Sequence, residues 1–440
     1  MRGRFGGLWR HADFMKLWTG QTISVFGSLI GGTALQFTAI LFLQASAFQM
    51  GLLAAASLAP GFVSGLVAGA WVDRLRRRPL LIMADVGRAL LLATIPLAAA
   101  LGCLRIEQLY VVAFGVSILT VLFDIAYQSY VPSLVGGDDL LEGNSKLAAS
   151  ASVAEVGGFG IAGWLVQLLS GPAVILIDTC SFVVSAFALG AIRSREPQPA
   201  AIHENASVAR EIGEGLREVA RRPLLRTLAG ATFLLQFCGH GIYGSVVVLY
   251  MSRGLGFSPG VLGMAWGVGG VSSLIGAMLA APLTRRFGTG RAMIVGLLLG
   301  SATGFLVPSA QGATALAFVF LILAQLGDGA DTVYQVNQLS LRQAITPERL
   351  LGRVNASMHV VGQGAALLGA LVGGLLGDLI GLRPTLFLGA GGSLLVALML
   401  TLSPLRRVTA VVPPEAPLVG VAGMAQYELA EMSHPRIRHE

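Results

Sequence analysis

The residues able to do chemistry in this 440-residue chain are few, because 12% of it is charged and 54% is hydrophobic. The most telling are carboxylates set inside long apolar stretches: Asp85, Asp124, Glu155, Asp178, Asp328 and Asp331. An ionisable group in such a stretch costs about 2.5–3.5 kcal/mol to insert into a bilayer, so each is a functional candidate by default. Carboxyl groups held there can take up and release a proton. Glu155 stands near the middle of its stretch, and Asp328 and Asp331 are three apart, hence on one helix face. With His240, a side-chain type that carries protons near neutrality, these are the proton-coupling candidates. The alternative for each is a hydrogen-bonded structural role. Asp178 reads as such a structural acid. Asp85 and Arg88, also three apart, read with Asp124 as a gating network.

A second set of residues could line a cavity. Gln21, Gln236, Gln325, Gln335 and Asn337 are amides within apolar stretches, and His359 and Gln363 lie four apart on one face. Phe37, Phe237 and Tyr243, with Phe233 and Trp266, could give apolar contacts, although packing is the default for any one aromatic. No GxxxxGK[ST], HExxH or GxSxG pattern occurs. Cys103, Cys180 and Cys238 are too scattered for a zinc site. No catalytic residue, cofactor or metal site is expected. Two GxGxxG matches, Gly158/Gly160/Gly163 and Gly239/Gly241/Gly244, lie inside apolar segments without a preceding strand, so they read as helix-packing glycines. Gly369, Gly373 and Gly374 belong to the same theme.

These residues must be carried by membrane helices. A bilayer core takes about 20 apolar residues per helix, and on that template the chain divides into twelve spans. They cover about 14–43, 48–72, 79–102, 107–131, 144–169 and 172–192, then 226–251, 258–284, 288–308, 312–341, 354–378 and 382–403. With both termini inside, 30 basic residues distribute so that only Arg105, Arg253 and Arg383 fall outside and Arg88 falls within a span. That asymmetry is the positive-inside pattern. It assigns the net charge of +7 to topology rather than to nucleic-acid binding.

The expected organisation is an N-terminal six-helix bundle (1–192), a cytoplasmic linker (193–225), a C-terminal six-helix bundle (226–403) and a disordered tail (404–440). Within the linker, Val208–Arg222 has apolar residues at helical spacing and reads as an amphipathic helix on the membrane surface. The halves repeat weakly. Asn144, Gly158 and Gly163 recur at the same spacing as Asn355, Gly369 and Gly374, and Pro172 and Pro384 follow. Parallel halves with a midplane binding site are a transporter signature.

After the second span comes Gly69-Ala70-Trp71-Val72-Asp73-Arg74-Leu75-Arg76-Arg77-Arg78-Pro79. An acid beside arginines at the mouth of two helices can form an ion-pair latch that opens in one state and closes in another. Here the chain resembles the major facilitator superfamily, whose loop signature G-x-x-x-D-R-x-G-R-R matches at Gly69, Asp73, Arg74, Arg77 and Arg78, with Arg76 in place of glycine. It is similar to one bacterial branch over residues 10–403, through Leu17–Ser24, Ala84–Ala89, Phe123–Ser133 and Asn337–Gln343, then Pro347, Leu350, Gly352, Arg353 and Asn355. That branch holds macrolide and multidrug effluxers and siderophore exporters. The resemblance implies two six-helix bundles rocking about a central cavity, and proton-driven export. Two positions depart from the pattern. Phe159 follows Gly158 where many exporters have proline, and Pro282–Gly288, the second-half counterpart of the latch, has Arg285 and Arg286 but no acid. Gating ion pairs are therefore expected to differ between the halves.

The reading is an all-α membrane protein of the bacterial inner membrane, monomeric, with both termini cytoplasmic. It exports amphipathic small molecules in exchange for protons, with the bilayer as its surroundings. A nutrient importer or uniporter of the same fold, or a non-transporting sensor, is the alternative.

Overall fold

The computed structural model describes residues 8–67, 76–135, 139–194 and 208–409, and among these no strand occurs. In lipid every backbone donor must be satisfied within its own segment, so long apolar runs become helices. The first half holds α1 (Ala12–Phe42), α2 (Ala47–Val67), α3 (Arg77–Ala100), α4 (Ile106–Val135), α5 (Leu140–Leu169) and α6 (Gly171–Gly190). A short helix, α7 (Val208–Arg221), leads to the second half: α8 (Pro223–Gly254), α9 (Pro259–Phe287), α10 (Thr289–Ser309), α11 (Ala315–Ile345), α12 (Glu348–Leu379) and α13 (Leu382–Leu402). Eleven of these are long and apolar enough to cross a bilayer, and α2 adds a shorter apolar helix over Ala47–Val63. The molecule is a multi-pass membrane protein of twelve-helix architecture.

Several helices run beyond the apolar stretch that announces them. α5 begins at Leu140 instead of 144, α12 at Glu348 instead of 354, and α11 ends at Ile345 instead of 341. Helical hydrogen bonding continues past the apolar stretch because polar side chains near the helix ends, such as Glu142 and Arg349, reach solvent and do not oppose it. The connections can be very short. One residue, Ser170, joins α5 to α6 with φ 76° and ψ 154°, and two, Ile380 and Gly381, join α12 to α13, Gly381 having φ 91° and ψ 159°. The two turns occupy the same place in the repeat, yet only the second has the residue for which that conformation is unstrained.

Even numbers of crossings put the start of α1 and the end of α13 at one end of the molecule, here called proximal. Within the first half, α1 packs on α5 and α6, α3 on α4 and α6, and α2 on α4. Within the second, α11 packs on α9 and α10, and α12 and α13 pack on α8. The halves meet along α2–α12 and α5–α9. At the distal end these seams are tight. A Cβ added to Gly163 would lie 2.8 Å from the Cα of Gly263, and one added to Gly374 would lie 3.0 Å from the Cα of Gly51. Gly158 meets Leu29, Gly160 the Gly263 carbonyl, Gly369 the backbone of Phe237 and Gly241, and Gly373 that of Ile242.

The proximal end is tied by side chains that reach backbone carbonyls of neighbouring helices. Arg77 donates to the Ser129 carbonyl (3.0 Å) and Arg78 to the carbonyls of Leu189 (2.9 Å) and Gly190. Gly69, Asp73 and Arg74 lie outside the described residues. α7 docks on the second half: Glu214 pairs with Arg353 of α12, and Arg222, just beyond α7, donates to the Ile345 carbonyl at 2.7 Å. The segment assigned to a disordered tail begins instead with a 3-10 turn, Pro404–Arg407. It is anchored because Leu405 is fully buried and the Val408 carbonyl accepts from the Gly290 amide. Residues 410–440 lie outside the described residues. Two of the three distal arginines are engaged as carbonyl donors: Arg253 to Ile40 and Ala45, Arg383 to Pro308.

Candidate functional site

α11 carries a polar stripe. Gln325, Asp328, Asp331, Gln335, Gln338 and Arg342 follow one another at spacings of three or four, so they share a helix face. That face opens on a cavity of about 550 Å³ enclosed by α8, α9, α10, α11 and α13. The packing that permits this is close. Ser272 of α9 donates to the Leu326 carbonyl (2.9 Å) and accepts from the Gly329 amide (3.1 Å), which draws α9 onto α11. Gly269 of α9 leaves room for the carboxylate of Asp328 and the amide of Gln325, since a Cβ there would meet them at 2.5 and 2.6 Å.

The opposite wall comes from α8. Its stretch Gln236–Tyr243 is wound as a π-helix, a local widening often found at functional sites. Gln236, Gly239, His240 and Tyr243 of that stretch line the cavity. Asp331 accepts from the Gln335 amide at 2.6 Å, with Asp328 beside it on the same helix face and His240 on the facing wall. The Tyr243 hydroxyl donates to the Gly304 carbonyl at 3.1 Å. Among the described residues, the Tyr334 hydroxyl and Arg342 Nε, both on the lining, are buried without a hydrogen-bond partner. Trp266 reaches the cavity from α9 and contacts the first half, its ring 6.1 Å from Phe37 and 6.2 Å from Phe159. The arrangement offers two carboxylates, amides and aromatic faces to a small solute.

The first half holds a different polar centre. Asp85 and Arg88 form an ion pair one turn apart on α3, with Asp85 fully buried and Arg88 4% exposed. The guanidinium is clasped between the rings of Phe123 of α4 (4.4 Å) and Phe182 of α6 (4.2 Å). The charges of Asp124 and Asp178 also act on Arg88. Asp178, 4% exposed, accepts from the Ser181 hydroxyl at 3.2 Å and packs over Gly27 and Gly31 of α1.

Of the proton-coupling candidates, the fold brings Asp328, Asp331 and His240 together on the cavity, while Glu155 is exposed on α5 and does not line it. Of the cavity candidates, Gln236, Tyr243, Gln325 and Gln335 line it. The others are placed elsewhere by packing. Asn337 is buried between α9 and α11, accepting from Thr284 (2.6 Å) and donating to the Val333 carbonyl (2.9 Å). Phe37 is buried in the core, and Phe237 stacks on Phe233 with ring centroids 6.2 Å apart. Gln363 lies beside Gly61 on the α2–α12 seam, His359 is exposed, and Gln21 has a buried Oε1 on α1. Tyr334, Gln338 and Arg342 were not among the expected lining residues. The three-and-four spacing of the polar stripe was the signal that could have found Gln338 and Arg342.

Comparison with known proteins adds a family. Residues 17–370 and 230–430 match the profile described as Major Facilitator Superfamily. YfiS of Bacillus subtilis (strain 168), an uncharacterized MFS-type transporter, is 26% identical over 88% of this chain and 92% of its own. The multidrug efflux pump Tap of Mycolicibacterium fortuitum is 27% identical over 77% of this chain and 83% of its own. Among solved structures, a bacterial homologue of the iron transporter ferroportin in an inward-facing state superposes with a TM-score of 0.71 at 19% identity, covering 88% of this chain and 98% of that one.

Proposed function

The chain belongs to the Major Facilitator Superfamily, and we propose that it exports amphipathic small molecules across the bacterial inner membrane in exchange for protons. As a transporter of this family it takes small-molecule substrates within the membrane. The observation that carries the finer reading is the mid-membrane cavity on which Asp328, Asp331 and His240 stand among amides and aromatic rings. A carboxylate pair that shares one cavity with the solute can hold a proton or a solute, and that competition is the simplest form of antiport. Trp266 bridges the cavity to the first half, so filling the cavity bears on the contact between halves. The resemblance to an efflux pump supports the outward direction. The distal seam supports reading this conformation as the one open toward the proximal, cytoplasmic side.

The test uses inside-out membrane vesicles energised with a pH gradient and a panel of cationic drugs, macrolides and siderophores. Gradient-dependent accumulation of at least one compound is expected, falling tenfold or more in Asp328→Asn or Asp331→Asn with equal protein in the membrane. Accumulation of none, or full activity in both variants, overturns the reading. Concentrative uptake by right-side-out vesicles would instead assign import.

A further inference from the structure

The repeat that pairs Gly163 with Gly374 also pairs Gln167 with Asp378, near the distal ends of α5 and α12. Each of these side chains reaches across to the other half and caps the first turn of a helix there. The Asp378 carboxylate accepts from the amides of Ala47 (2.9 Å) and Phe48 (3.1 Å) and from the Ser46 hydroxyl (2.9 Å), at the start of α2. Gln167 Oε1 accepts from the Gly260 amide at 3.0 Å, at the start of α9.

The first turn of a helix has amides with no partner of their own. At α2 the accounting closes only with the other half present. Ser46 and Gln49 form a local box, Gln49 Oε1 accepting from the Ser46 amide (2.9 Å) and Ser46 Oγ accepting from the Gln49 amide (3.3 Å). The amides of Ala47 and Phe48 between them are left to Asp378. At α9 the need is smaller, because Pro259 has no amide hydrogen and a single bond from Gln167 serves Gly260. A carboxylate at a helix N-terminus is also favoured by the helix dipole, which a neutral amide is not. Arg253 of α8 supplies the converse cap, donating to the carbonyls of Ile40 and Ala45 at the end of α1.

We infer that these caps are the polar latch of the distal gate, unequal by construction, and that Asp378 is its principal positioning residue, acting through the first turn of α2. The distal end cannot open without breaking them, because donor and acceptor belong to opposite halves. The inference rests on alternating access by the two halves, and not on which solute is carried or in which direction.

Distances across the distal end, measured by pulsed electron paramagnetic resonance on the full chain in lipid nanodiscs, test this without any substrate. Labels go on Cys103, exposed in the α3–α4 turn, and on Gln311→Cys, exposed in the α10–α11 turn, with Cys180→Ser and Cys238→Ser as background. Asp378→Ala is expected to raise the ratio of separated to closed distal ends by about tenfold, the scale of losing hydrogen bonds to a charged group. Gln167→Ala should raise it about threefold, the scale of one neutral bond. An Asp378→Ala distribution that superposes on the parent overturns the inference, as does a larger effect of Gln167→Ala. If Asp378→Ala does not fold, Asp378→Asn decides: a raised ratio supports the latch and an unchanged one overturns it.

Discussion

Near the middle of their helices, the two halves keep carboxylates in opposite company. In the first half, Asp85 is sealed against Arg88, and the guanidinium is held between the faces of Phe123 and Phe182. In the second half, Asp328 and Asp331 stand on a cavity, one held by the Gln335 amide and both in reach of a solute. A buried ion pair neutralises charge where it stands and is costly to break from one side, whereas a carboxylate steadied by an amide keeps its charge available. The count of intramembrane acids therefore says little about coupling. On the proposed reading, a coupling acid differs from a structural one in whether space or a packed cation lies beside it.

That contrast can be broken from its stronger side first. Arg88→Leu strands the Asp85 charge in the core and should cost about 3–5 kcal/mol, enough to abolish recovery of folded protein in detergent. The double variant Asp85→Leu/Arg88→Leu should restore most of the thermal stability, which a melting curve reads directly. In the second half, Asp331→Asn should leave that melting curve within about 1 kcal/mol of the parent, as exchanges outside packed networks do, while proton-linked transport falls tenfold or more. If Asp331→Asn unfolds the protein as Arg88→Leu does, the two centres are alike after all. Tyr334→Phe removes a hydroxyl with no hydrogen-bond partner among the described residues, so its expected cost appears as a rise of a few-fold in the half-saturating solute concentration, with stability unchanged. The smallest effect is expected at the turns. Ser170→Gly gives the α5–α6 turn the residue its repeat partner Gly381 already has and should raise stability by about 1 kcal/mol, the backbone strain relieved less the entropy glycine loses. A fall in the melting temperature would show that Ser170 is not strained.

Much of the fold was legible because lipid imposes a simple rule on sequence. Apolar length gave the spans, and arginine position gave their alternation, with even the exceptions explained by packing: Arg253 and Arg383 are distal because carbonyls there accept from them. The site was legible in part. Asp328 and Asp331 stood out as charges in an apolar stretch, and their spacing put them on one face. Asn337 looked equally suited to a cavity, yet Thr284 of α9 takes it up. Glu155 looked as well placed as either aspartate by depth, but depth along a helix does not state what the next helix brings.

Which segments cross the membrane, their two repeated sets of six and the few carboxylates within them could be read along the chain. These follow from local quantities, namely apolar length, charge and spacing along one helix. Which acids are paired and which face a cavity, and the capping of opposite-half helices by Gln167 and Asp378, emerge only when the helices pack. Those outcomes depend on contacts between segments far apart in the chain. A polar group in a membrane helix can be satisfied by many neighbours, and only the packing selects one.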